Sequence, residues 1–189
     1  MIIYFIRHGE TDMNVEQRCQ GRIDAPLNGR GRAQSALAAE EFAGKKIDKL
    51  YTSPLGRATY AAELIARSHG IKAAPLGWLM EIDHGELEGM DRRQCEEVRP
   101  GMIADWFERP DTVYFPGGES LFDMERRVAR GLWEIYNRDS GDIVFVTHQV
   151  VAAVARCIFQ GRPLAEAWEG KLENGKYFEI KPDMEMLHR

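Results

Sequence analysis

The 189-residue chain has little cysteine: Cys19, Cys95 and Cys157 are widely spaced and odd in number. No two of them have the separation of a metal-ligand or redox pair, so a disulfide framework is not expected to hold the fold. A reducing, cytoplasmic setting follows as the expectation. Long apolar runs are also missing. The stretch before Arg7 is too short for a signal-peptide core, and no later run reaches the ~18 residues that span a bilayer. Strong charge is absent too. At a net charge of −5 a basic nucleic-acid face is not expected. That total does not exclude an anionic small ligand, because a few arginines in one cleft bind an anion whatever the sum. Internal repeats, low-complexity segments and interdomain linkers are lacking as well. What is present is an ordinary globular composition, 44% hydrophobic and 29% charged, in a chain of one-domain length.

Hydrophobic patterning predicts alternating strands and helices. Ile2 to Ile6, Lys49 to Thr52 and Ile143 to Thr147 are short β-branched or aromatic runs, suited to strands covered on both faces. Ala73 to Leu76 is a weaker strand candidate, and Tyr177 to Ile180 is expected to close an edge. Asn28 can cap a helix running to about Phe42, ahead of Gly44. Ala58, Ala61, Ala62 and Ile65 form a helical stripe. Leu121, Met124, Val128, Leu132 and Ile135 form another, with Ser120 and Asp123 as its cap pair, and Val150 to Phe159 makes an apolar helix stopped by Gly161. The predicted fold is a three-layer α/β/α sandwich: a single domain with a mostly parallel, doubly wound sheet, an antiparallel edge strand and a small cap over about 91–117.

Ligands of such sheets sit beyond the carboxyl ends of the strands. There the sequence places Arg7-His8-Gly9-Glu10-Thr11, then Ser53-Pro54-Leu55 followed by Arg57, and Thr147-His148 before a helix start. Two arginines, two histidines and a helix N-terminus suit a phosphate. His8 is the candidate nucleophile, since a neighbouring Arg7 disfavours the imidazolium and keeps a ring nitrogen free to attack. Gly9 is read as leaving room for backbone to approach the phosphate. Arg57 sits at the wrong end of a helix for its charge, an objection that a bound anion would remove; the ordinary alternative is a surface arginine paired with Glu63 or Asp83. A proton donor for the leaving oxygen is expected among Glu81, Asp83, Glu86 and Glu88, which chemistry alone does not separate.

Taken together these residues resemble the histidine phosphatase superfamily, also called the phosphoglycerate-mutase-like family. The likeness runs from Ile2 to about Ile180 and includes Asn14, Gly21 and Asp24-Ala25-Pro26-Leu27. It implies that His8 becomes phosphorylated, that Arg7, Arg57 and His148 hold the phosphate, and that Glu81 is the acid. It further implies that Thr11, Asn14 and Gly21 line the phosphate pocket, with Glu119 and Ser120 at its edge. Three positions depart from the family pattern, one of them Leu87, where many phosphatase members carry a tryptophan. Gln149 stands where glycine is frequent and would narrow the pocket or contact substrate. His84 stands where phosphatase members often carry an aromatic, and would touch the substrate or share the Glu81 proton.

The expected activity is therefore hydrolysis of small phosphorylated metabolites, with no cofactor and no metal. Ribazole phosphate, sugar phosphates and other phosphomonoesters are candidates. The chain is short for a bisphosphoglycerate-using mutase, which is the alternative within the family. A non-catalytic phosphate-binding module and a metal hydrolase built on His8, His84 and His148 are the readings from other classes. Trp106, Phe107, Tyr114 and Phe115, beside Arg92, Arg93, Arg99 and Arg109, form either an aromatic rim for a bulky alcohol or an anchor for the cap. Neither nucleic acid nor membrane is expected as a partner, and a homodimer stays open.

Overall fold

A computed structural model describes residues 1–182. Five strands make one sheet: β1 Ile3–Arg7, β2 Lys49–Thr52, β3 Ala73–Pro75, β4 Ile143–Thr147 and β5 Tyr177–Ile180. Their order is β3-β2-β4-β1-β5. All neighbours are parallel except β5, which pairs antiparallel with β1 in the register Ile3 to Ile180 and Ile6 to Tyr177. The helices are α1 Asp12–Val15, α2 Gly29–Phe42, α3 Gly56–His69, α4 Arg92–Val98, α5 Met102–Glu108, α6 Leu121–Arg138 and α7 Gln149–Gln160.

The central strands are apolar at their inner positions because both sheet faces are covered. Side chains alternate between faces along a strand. Tyr4, Ile6, Val144 and Val146 accordingly share one core with Phe42 of α2 and Ala58, Ala61, Ala62 and Ile65 of α3. Phe5, Ile143 and Phe145 share the other with Leu121, Met124, Val128 and Leu132 of α6 and with most of α7. At roughly 25 cal/mol per Å² of apolar surface removed from water, these two cores are the main force fixing the strand ends in place. Substituting Phe5 or Phe145 with alanine would open a cavity beneath the site.

Predicted caps are realised. Asn28 Oδ1 accepts from Gly31 N at 2.9 Å. Ser120 and Asp123 form a capping box, Ser120 Oγ accepting from Asp123 N at 3.2 Å and Asp123 Oδ2 from Ser120 N at 2.9 Å. The segment expected as a cap holds α4, α5 and a 3₁₀ turn, Pro110–Thr112, and Arg92 of α4 with Trp106 and Phe107 of α5 reach the hollow that His84 lines. Phe115 anchors the segment from within the core, while Tyr114 is exposed to solvent. No helix among the described residues is long and apolar enough to cross a membrane.

One glycine does different work from that expected. A Cβ on Gly9 would meet the Gly31 carbonyl oxygen at 2.1 Å, and one on Gly31 would meet the Glu10 carbonyl oxygen at 2.0 Å. Gly9 is small because α2 crosses directly against the loop after β1. The tight neighbour is protein, and the crossing fixes where the His8 backbone lies.

Candidate active site

Three strand ends deliver the central residues. His8 follows β1, Arg57 opens α3 just beyond β2, and His148 caps α7 just beyond β4. The rings of His8 and His148 lie 5.1 Å apart between centroids. A cavity of about 250 Å³ at this point is lined by Arg7, His8, Asn14, Gly21, Arg57, Glu81, His84 and Gln149, all anticipated from the sequence. Arg18, Gln20, Trp168 and Lys171 also line it and were not anticipated; Trp106 and Phe107 of the cap form its rim.

His8 is 3% exposed. Its Nδ1 stands 2.6 Å from the Gly9 carbonyl oxygen, which can only accept, so Nδ1 carries the proton and Nε2 carries the lone pair. Burial pushes its pKa well below 6.5, and the positive charges of Arg57 and Arg7 push in the same direction. The ring is therefore neutral and nucleophilic at neutral pH.

Arg7 donates from Nη1 to the Leu172 carbonyl at 2.8 Å and to Gln149 Oε1 at 3.0 Å. Gln149 thus orients the arginine from the cavity wall. Arg7 Nε is buried without a hydrogen-bond partner, a cost of about 1–3 kcal/mol that an anion in the cavity would offset.

Arg57, 1% exposed, is held by the Gly21 and Ile23 carbonyls at 2.6 Å each and by His148 Nδ1 at 3.3 Å. Neither Glu63 nor Asp83 pairs with it, since Glu63 lies with Arg67 and Asp83 with Arg22. Burial pulls Arg57 down to about 10, which leaves it charged at neutral pH. Gly21 adopts φ +46° to turn its carbonyl onto this guanidinium. Gln20 is buried between Arg57 and Thr11. With its amide nitrogen towards Thr11 Oγ1, its oxygen accepts from Arg57 Nε at 2.7 Å. Only its place beside Gly21 hinted at this.

Four anticipated residues stand behind the cavity wall. His148 is fully buried and uses both ring nitrogens, Nδ1 towards Arg57 and Nε2 towards Ser53 Oγ at 2.8 Å. Thr11 caps α1 with Asn14. Ser120 is spent on the cap of α6. Glu119 binds Arg127 at 2.7 and 3.0 Å and accepts from Asp83 N. Burial works to raise the Glu119 pKa, but the paired guanidinium outweighs it and holds the carboxyl below its ordinary value.

The N-terminus of α7 faces Glu81. Val150 N lies 3.2 Å from each Glu81 carboxyl oxygen, and Ile82 N donates to Oε1 at 2.9 Å. Those bonds and the two arginines favour the carboxylate, yet burial outweighs them and the pKa is raised above 4.5. This geometry separates Glu81 from its acidic neighbours. Asp83 turns to Gly85 N, Glu86 to Arg99 and Glu88 to Arg22 N. His84 lines the cavity, its ring edge-on to Phe115 at 4.6 Å and its Nδ1 buried without a partner. Burial lowers it from 6.5 to about 4, so it is neutral. No group of three or more His, Cys, Asp or Glu side chains among the described residues converges as metal ligands.

Fold and site together define an α/β enzyme built around an anion-binding histidine centre. Residues 3–186 match the histidine phosphatase superfamily (branch 1), and the chain belongs to that family, among its phosphoric monoester hydrolases. Phosphoserine phosphatase 1 of Hydrogenobacter thermophilus is 33% identical over 176 residues, which cover 93% of this chain and 83% of that one. Among solved structures, YhfR of Bacillus stearothermophilus superposes with a TM-score of 0.91 at 28% identity, covering 97% of this chain and 92% of its own. A mycobacterial glucosyl-3-phosphoglycerate phosphatase solved with VO3 superposes with a TM-score of 0.89 at 26% identity, covering 95% and 92%.

Proposed function

We propose that the chain hydrolyses small phosphomonoesters without a metal ion, through a phosphohistidine on His8. One observation carries this reading. The Nδ1–H of His8 is tied to Gly9, which leaves a bare Nε2 in a cavity that also holds two guanidinium groups and a carboxyl of raised pKa.

In the first step the Nε2 lone pair attacks phosphorus in line with the ester oxygen. The N–P bond forms, the P–O bond breaks, and Glu81 gives its proton to the departing alcohol. A bound phosphate raises the Glu81 pKa further by like charge, so the proton is present when needed. In the second step the Glu81 carboxylate takes a proton from water as that water attacks phosphorus. The N–P bond breaks and its electron pair returns to Nε2. Arg7 and Arg57 neutralise charge on the equatorial oxygens, an electrostatic contribution that needs no reorganisation because both are already fixed. His148 acts on phosphate through Arg57, which it orients.

Relatives named as phosphatases, a phosphoserine phosphatase and a glucosyl-3-phosphoglycerate phosphatase, agree with hydrolysis, while relatives named as probable phosphoglycerate mutases, 33% identical over 130 residues, keep mutase chemistry as the second reading. Rapid acid-free quenching during turnover of p-nitrophenyl phosphate tests the reading. The expected product is a base-stable, acid-labile phosphoprotein that His8→Ala lacks. An unlabelled wild-type protein, or label retained in His8→Ala, would overturn it.

A further inference from the structure

The catalytic cavity opens into a second hollow of about 380 Å³, which shares Arg18, His84, Trp106, Phe107 and Lys171 with it. No aspartate or glutamate lines this second hollow, while Arg7, Arg18, Arg92 and Lys171 all do. In a chain with 30 acidic and 25 basic side chains, such segregation is local and concentrated. The four cations are not equally free. Arg7 is committed to Leu172 and Gln149. Arg18 is paired with Glu16 at 2.6 Å and bonded to the Gly89 carbonyl. Arg92 lies over the Phe107 ring at 5.2 Å, and among the described residues neither it nor Lys171 has an ion pair or side-chain hydrogen bond.

Lys171 is also held in register with the reacting centre. The loop that carries it is clamped to the end of β1 at three points. Arg7 Nη1 donates to the Leu172 carbonyl, Asn174 Nδ2 to the His8 carbonyl at 3.1 Å, and Gly175 N to the Arg7 carbonyl at 3.0 Å. The clamp sets Lys171 where the two hollows meet, and it lines both. Partial burial and the charges of Arg7 and Arg92 already disfavour its protonated form, with no acid opposing them. An arriving anion relieves that repulsion.

We propose that Lys171 and Arg92 form a second anion subsite, so that the substrates are phosphomonoesters whose alcohol half carries a further anionic group. The inference rests on the phosphomonoesterase reading and narrows its substrate class. Trp106 and Phe107 line the same hollow and supply apolar surface for the carbons of the alcohol half.

Two matched substrate pairs test this. In 3-phosphoglycerate and glycerol 3-phosphate the difference is one carboxylate; in fructose 1,6-bisphosphate and fructose 6-phosphate it is one phosphate. The wild type is expected to prefer the charged member of at least one pair in kcat/KM, and the preferred pair tells carboxylate from phosphate. In the double variant Lys171→Met, Arg92→Gln that preference should fall on the order of tenfold, between the worth of an exposed ion pair and that of a charge-assisted hydrogen bond. The loss should come through KM, and Lys171→Arg should keep most of the preference. Equal use of both members by the wild type, or a preference surviving in the double variant, would overturn the subsite. Failure of the catalytic reading is separate: it would show as turnover by His8→Ala, whatever the preference ratio.

Discussion

The two ends of the cavity are built in opposite ways. At the phosphate end His8, Arg57 and His148 are buried and tied by short bonds to backbone carbonyls or to one another. At the open end Phe107 is 48% exposed, and Arg92 and Lys171 pair with no acid among the described residues. The buried end is preorganised for a group common to every substrate, where fixed dipoles are worth most. The open end leaves its charges solvated and adjustable, which suits it to choosing among alcohols. On the proposed reading, chemistry and choice fall to different elements: strand ends for the first, the cap and the 171–176 loop for the second.

Substitutions should separate the two ends. The largest effect is expected for His8→Ala, with kcat for p-nitrophenyl phosphate falling on the order of 10⁴-fold or more while circular dichroism stays native. A loss under tenfold would put the nucleophile elsewhere.

Next comes Glu81→Gln. Alkyl phosphates should slow by about 10²–10⁴-fold, the usual worth of general acid catalysis, and p-nitrophenyl phosphate far less, because its leaving group needs no proton. The pH profile sharpens this. Glu81 acts as acid only while protonated, and its pKa is raised, so kcat/KM falls as pH rises through that raised value. His8 acts only while neutral, and its pKa is lowered, so kcat/KM also falls as pH drops well below 6.5. Glu81→Gln should abolish the alkaline limb alone; a surviving alkaline limb would assign it to another group.

Arg57→Lys should affect structure as well as rate. A lysine cannot serve the Gly21 and Ile23 carbonyls together, and an unpaired buried carbonyl costs about 1–3 kcal/mol. A fall in melting temperature of roughly 2–12 °C is expected, alongside a loss in kcat/KM. An unchanged melting temperature would show that the loop from Gly21 to Ile23 does not depend on this arginine.

The smallest effect is at His84. The unfolded chain takes up a proton there below about 6.5, but the folded chain does so only near 4. Stability is therefore complete above the higher value and is lost as pH falls between the two, at up to about 1.4 kcal/mol per pH unit. His84→Phe should flatten the melting temperature between pH 7 and pH 5. His8 and His148, whose pKa values are lowered too, will leave part of the slope.

How much of this was legible in the sequence follows the same division. Strands β1, β2 and β4 were readable because both faces are covered and their inner positions are apolar. Ser120 and Asn28 announced their helices because capping is local chemistry. Arg7, His8, Arg57, Glu81 and His148 were readable because strand ends must converge in a doubly wound sheet. Contacts set by the tertiary path were not readable. Nothing local shows that Lys171 and Trp168 fold back beside residues more than 150 positions earlier, nor that Gly9 is small for the sake of Gly31. Thr11, Glu119 and Ser120 match the family motif, but their side chains support the loops around the cavity and do not line it. The aromatics of the cap divide between the two roles weighed for them: Phe115 anchors, Phe107 forms rim, and Trp106 does both.

The clamp between the 171–176 loop and the end of β1 also bears on biosynthesis. His8 and Asn174 are 166 residues apart. At about 5–20 residues per second, a ribosome needs roughly ten to thirty seconds to deliver the asparagine after the histidine. The nascent β1 also lacks β4 until residues 143–147 have been made, and lacks β5 throughout the interval. The proposed nucleophile is thus among the first residues made, and the loop clamped beside it among the last.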